Sequence, residues 1–134
     1  MGELKELVAR FADYRVRLVF LFGSYARGNY TNESDIDLLI VADNLPSDPR
    51  EAYEIFLKQF NLGLRIHPVC LNTNTFRKLL ENESTFIMEI LEDGRVIYAD
   101  EAFLSETMEK YREIRKKWSR RGKMWVRIVD QDPP

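Results

Sequence analysis

Leu4, Leu7, Val8, Phe11 and Tyr14 recur at helical spacing, which predicts an amphipathic helix over residues 2–15. The spacing then collapses into the run VRLVFLF, residues 16–22, apolar at every position but Arg17, the mark of a strand covered on both faces. Residues 23–34 are rich in glycine, asparagine and hydroxyl side chains, a loop composition with room for one short helical turn. Residues 35–42 form the second strand. In LPSDPREAYEIF, Asp48 reads as an N-cap, Pro49 as the first helical residue and Glu51 as the acid three places after the cap. That helix presents Ala52, Ile55, Phe56 and Phe60 on one face and stops near Gly63. LRIHPVCL, residues 64–71, is a third strand, and Pro68 places it at an edge or an irregularity because proline has no N–H to give to a ladder.

Residues 73–82 and 84–93 predict two short helices, one burying Phe76, Leu79 and Leu80 and the other Ile87, Ile90 and Leu91, with Gly94 as the closing C-cap. RVIYA is a short fourth strand. Leu104, Met108, Tyr111, Ile114 and Trp118 mark the stripe of a final long helix, after which WVRIV has strand character and DQDPP reads as a frayed end. Strands alternating with helices give an α/β (α+β) fold class, a small mixed β-sheet flanked by helices.

With 134 residues, 45% apolar and 31% charged, the chain reads as a single domain over 1–134, its core at about 1–100 and a basic helix and tail at about 101–134. Cys70 is the only cysteine, which excludes a disulfide framework and suits a reducing compartment; within IHPVCL it reads as a small core residue. The first residues lack the apolar core of a signal peptide, and no apolar run approaches the roughly 20 residues of a membrane span. The expectation is a soluble cytoplasmic protein. Behind the net charge of −2, cations gather at Lys110, Arg112, Arg115, Lys116, Lys117, Arg120, Arg121, Lys123 and Arg127. They read as a solvated helix end complementing the macrodipole or, alternatively, as a surface for nucleic acid or an acidic partner. No recognised nucleic-acid-binding motif accompanies them.

Candidate chemistry lies in FLFGSYARGNYTNESDIDLLIVA, residues 20–42. Glycines after a buried strand let backbone N–H groups approach an anion. Gly23 and Gly28 have the spacing of a P-loop, but Asn29 and Tyr30 stand where its lysine and hydroxyl residue belong, so that reading fails. Asp35 and Asp37 project from one face of a strand, about 7 Å apart along it. Two carboxylates so placed suit a divalent cation that arrives with phosphates; alternatively Asp35 caps a turn and Asp37 faces solvent.

Together, Gly23, Ser24, Ala26, Arg27, Gly28, Ser34, Asp35 and Asp37 resemble the signature G-S-x-A-R-G, spacer, S-D-x-D of the DNA polymerase beta-like nucleotidyltransferase superfamily, and most closely its minimal nucleotidyltransferase (MNT) members. The resemblance implies that Gly23 and Ser24 hold the β- and γ-phosphates of a nucleoside triphosphate, ATP or another, and that Ser34 also belongs to the nucleotide-binding residues. It implies that Asp35 and Asp37 bind magnesium, or manganese in its place, and that Arg27 reaches phosphate or braces the loop. The reaction implied is transfer of a nucleoside monophosphate, AMP foremost, to a hydroxyl acceptor with release of pyrophosphate. Similar small proteins are antitoxins that add AMP to a HEPN-class partner.

Members of that family draw a third carboxylate from a neighbouring strand, and by register this position falls on His67, the only histidine. His67 then serves as general base, or selects a softer ion, or marks a site that binds nucleotide without efficient transfer, or is an edge residue with no role. Glu89 or Asp93, folding back from the following helix, is the alternative source of that carboxylate. The rival function is a catalytically weak binding module that neutralises a partner stoichiometrically.

Overall fold

Two strands without polar alternation need cover on both faces, and the chain supplies it. The computed structural model describes residues 6, 8–9, 11–23, 26, 28, 35–59 and 66–128. A 3-10 turn, Ala12–Tyr14, leads into β1 (Val16–Phe22) and β2 (Ile36–Ala42), followed by α1 (Pro49–Gln59) and β3 (Ile66–Asn72). Then come α2 (Thr73–Glu81), α3 (Thr85–Asp93), β4 (Arg95–Ala99), α4 (Glu101–Arg115) and a hairpin of β5 (Trp118–Arg121) and β6 (Met124–Arg127). The main sheet has the order β3-β2-β1-β4, with β2 and β3 parallel and the other neighbours antiparallel, so the expected mixed α/β fold is present. Pro68 lies on β3, an edge strand, where a missing N–H is tolerated.

Alternate residues of the two central strands feed two cores. Val19, Leu21, Leu38 and Ile40 pack with Ala52 and Phe56 of α1, whereas Leu18, Phe20, Leu39 and Val41 pack with Phe76, Ile87, Met88 and Phe103 of α2–α4. Each fully buried side chain of this size contributes about 1.5–3 kcal/mol. Cys70 is in the α1 core, its thiol pushed up to about 12 by burial, as suits a packing residue. At the sheet end away from Gly23, Arg17 of β1 donates to both Asp43 carboxylate oxygens (3.0 and 2.9 Å) and to Asp100 (2.8 Å). Thr73 adds a hydroxyl to Asp43 at 2.6 Å, so strand ends and helix starts are joined there.

The caps explain where helices begin. Asp48 accepts the Arg50 N–H at 2.9 Å, Asn72 that of Thr75 at 2.7 Å, and Asp100 that of Phe103 at 3.1 Å. Gly94 caps α3 by donating to the Ile90 carbonyl, but its backbone is extended rather than left-handed. Glycine is needed there for space, since a Cβ would strike that same carbonyl and crowd Phe20 and the Leu21 carbonyl.

Of the helix expected over 2–15, residues 2–5, 7 and 10 lie outside the described residues; Glu6, Val8 and Ala9 are helical, Phe11 is fully buried, and Ala12–Tyr14 depart from the expected helix as a 3-10 turn. Phe60 and Gly63 also lie outside them. Trp118 corrects the expected last helix. Its spacing from Ile114 is helical, yet α4 ends at Arg115 and Trp118 opens β5, where its indole donates to Glu83 at 2.9 Å.

Candidate active site

Phe22 at the end of β1, Asp37 near the start of β2 and His67 near the start of β3 stand side by side across three strands. The parallel register puts Asp37 directly opposite His67, and paired residues share a face. Asp35, immediately before β2, reaches the same group, its Oδ2 lying 3.3 Å from His67 Nε2. The cluster opens to solvent, with the His67 side chain 65% and that of Asp35 49% exposed.

Gly23 follows Phe22 with φ +71°, in the left-handed region that favours glycine. A Cβ there would collide with the Asp37 carboxylate. The glycine therefore lets the loop backbone lie directly against the acid, an approach that a side chain forbids. Gly28 also has a positive φ, +79°, and Ala26 is helical and buried. Ser24, Arg27 and Ser34 lie outside the described residues. Of the expected site, the structure thus brings together Gly23, Asp35, Asp37 and His67.

Beside Gly23 is a recess of about 180 Å³ lined by Phe22, Gly23, Phe86, Glu89, Ile90 and Asp93. Phe22 and Phe86 meet edge to face, their centroids 5.7 Å apart. Arg120 of β5 clamps Asp93 with two hydrogen bonds, 2.8 and 2.6 Å, and lies 3.7 Å from Glu89. These carboxylates are engaged by a cation that sequence alone reads as exposed, although its side chain is only 14% exposed. Phe86 and Arg120 were not marked as site residues by any pattern in the sequence.

Among the described residues, no group of three or more His, Cys, Asp or Glu side chains is arranged to hold a metal ion alone. Two strand-end carboxylates and a glycine-lined approach suit instead a hard cation that brings phosphate oxygens as its remaining ligands.

The sequence matches the family described as polymerase beta, nucleotidyltransferase, over residues 5–103. It is 39% identical over 85 residues to a candidate protein adenylyltransferase of Methanocaldococcus jannaschii, covering 63% of this chain and 80% of that protein. A solved candidate nucleotidyltransferase from Sulfolobus solfataricus superposes with a TM-score of 0.52 at 21% identity, over 73% of this chain and 78% of its own. A chain of a toxin-antitoxin structure with AMP-PNP gives 0.51 at 21% identity, over 84% of this chain and 89% of its own.

Proposed function

Because the chain belongs to the polymerase beta nucleotidyltransferase family, we propose that it transfers AMP from ATP to a hydroxyl of a protein acceptor. The observation that carries this reading is the grouping of Asp37, His67 and Asp35 at one sheet end, with Gly23 laid against the Asp37 carboxylate. The similarity to a candidate protein adenylyltransferase supports adenylate as the group moved and protein as its acceptor. A HEPN-class toxin partner is the acceptor we favour, supported by the shared fold with a toxin-antitoxin component.

In this mechanism the backbone at Gly23, together with Ser24 and Arg27, holds the β- and γ-phosphates, and Ser34 belongs to the nucleotide-binding set. The family generally uses a divalent metal, and Asp35 and Asp37 would hold magnesium or manganese here. Such an ion offsets charge on the phosphate oxygens when bound. The acceptor oxygen attacks the α-phosphorus in line, its bond to phosphorus forms, the bond to the bridging oxygen breaks and pyrophosphate leaves. The acceptor's proton passes in this proposal to His67, a role supported by its position opposite Asp37 and its contact with Asp35. The lone buried thiol is compatible with a cytoplasmic setting, and among the described residues no helix is long and apolar enough to cross a membrane.

The second reading, a nucleotide-binding module that neutralises its partner by contact, is favoured by the imidazole where a third carboxylate would otherwise stand. Incubation of the protein and a HEPN-class partner with ATP radiolabelled at the α-phosphate separates the two. Asp37→Asn is expected to reduce labelling by about 10²–10³-fold with the fold intact. Undiminished partner neutralisation by Asp37→Asn, with no labelling by the wild type, would establish the binding module instead.

A further inference from the structure

The terminal hairpin has two faces of opposite character. Cross-strand partners share a face, which puts Trp118, Arg120, Trp125 and Arg127 on one side and Ser119, Arg121, Met124 and Val126 on the other. The first side is anchored. Trp118 and Arg127 donate to Glu83 at 2.9 and 2.8 Å, Arg120 clamps Asp93, and the Trp125 ring has the guanidinium groups of Arg115 and Arg120 at 5.0 and 4.9 Å.

The second side is presented to solvent. Met124 and Val126 of β6 and Ile128, the residue just past its end, are 64%, 46% and 53% exposed. Single apolar residues at a surface are ordinary, but three in one row on a ribbon clamped from behind make a continuous interaction surface. Arg121 stands across from Met124, and Lys123 lies in the turn, both exposed.

This pairing of an apolar row with cations selects the kind of partner. Two copies placed face to face would oppose Arg121 and Lys123 of each to those of the other, which disfavours self-pairing. Nucleic acid is disfavoured too, because the two tryptophans that could stack on bases face inward and are held there. We propose that the outer face of the β5–β6 hairpin docks an acidic segment of another protein, one with an apolar centre flanked by carboxylates. Docking there does not require turnover at Asp35 and Asp37. The strand that turns Arg121 outward turns Arg120 inward to Asp93, which lines the recess beside Gly23, so a docked chain is brought near the candidate site.

Selection of a phage-displayed random peptide library on the full chain tests the surface, with Met124→Ser/Val126→Ser/Ile128→Ser as the counter-target. The expected clones combine Asp or Glu with Leu, Ile or Phe and lose about tenfold or more in affinity on the triple variant. Arg121→Glu/Lys123→Glu, which keeps the apolar row and alters only exposed positions, is expected to lose the same clones. A basic consensus, or no hairpin-dependent clone, overturns the proposal. So does sedimentation showing a wild-type dimer that the triple variant dissolves, or tighter binding of a single-stranded oligonucleotide that depends on Arg121 and Lys123.

Discussion

At position 23 the chain needs a residue without a side chain, for both the φ of +71° and the contact with Asp37. Gly23→Ala is expected to lower stability by about 1–3 kcal/mol, seen in thermal denaturation, and to abolish titratable binding of a non-hydrolysable ATP analogue. His67→Asp runs the other way. The side chain is exposed, so the unfolding free energy should stay within about 0.5 kcal/mol of wild type. The added carboxylate should tighten magnesium-dependent binding of the analogue by about tenfold, measured by the same titration. Unchanged affinity would show that position 67 does not face the metal. The glycines and aspartates were legible because they are close in sequence, and His67 because the family resemblance puts a third carboxylate on its strand; that it lies opposite Asp37 follows only from the parallel pairing of β2 and β3. Phe86 and Arg120 were not legible, since only the packing of α3 against β1 brings Phe86 beside Gly23, and only the hairpin brings Arg120 to Asp93 of the same recess.

The hairpin shows how an element can contradict its own periodicity. Ile114 and Trp118 are four residues apart and apolar, so the stripe of α4 reads straight through Lys116. The chain turns there because Trp118 gains the Glu83 carboxylate and its carbonyl accepts from Arg115 at 2.6 Å, contacts that no local pattern announces. The same fold-back changes the meaning of the basic end. Arg115 pairs with Glu92, Arg120 with Asp93 and Arg127 with Glu83, so much of the charge is neutralised within the molecule. Arg120→Ala leaves Asp93 without this cation and is expected to cost about 1–3 kcal/mol in urea unfolding. A variant as stable as wild type would mean that the hairpin adds no grip on α3. Other elements were readable because their signals are local: Asp48 and Pro49 start α1, and Pro68 assigns β3 to an edge.

Across the whole molecule, two depressed carboxylates hold separate layers together. Hydrogen bonds from Arg17 and then Thr73 keep Asp43 below its ordinary 3.8, and those from Arg127 and then Trp118 keep Glu83 below its ordinary 4.5. A group with a lowered folded pKa contributes fully above its unfolded value and loses that contribution as pH falls through the folded one. Melting temperature should therefore hold steady down to about pH 5 and then fall as acid protonates both groups. Asp43→Asn/Glu83→Gln should start lower at neutral pH and show a shallower acid decline; an identical decline would assign acid lability to other carboxylates. The alternation of strands and helices was visible in the sequence, but the order β3-β2-β1-β4 was not. Runs such as VRLVFLF are apolar on both faces and do not say which helix covers which side.

His67 projects into solvent from an edge strand, so little of the fold rests on which side chain stands there. Histidine and aspartate codons differ by one base. A lineage carrying this protein can thus exchange imidazole for carboxylate beside Asp37 in a single mutational step, without first evolving a compensating change in the core. The charge carried beside Asp37 is then set by inheritance at one position rather than by architecture.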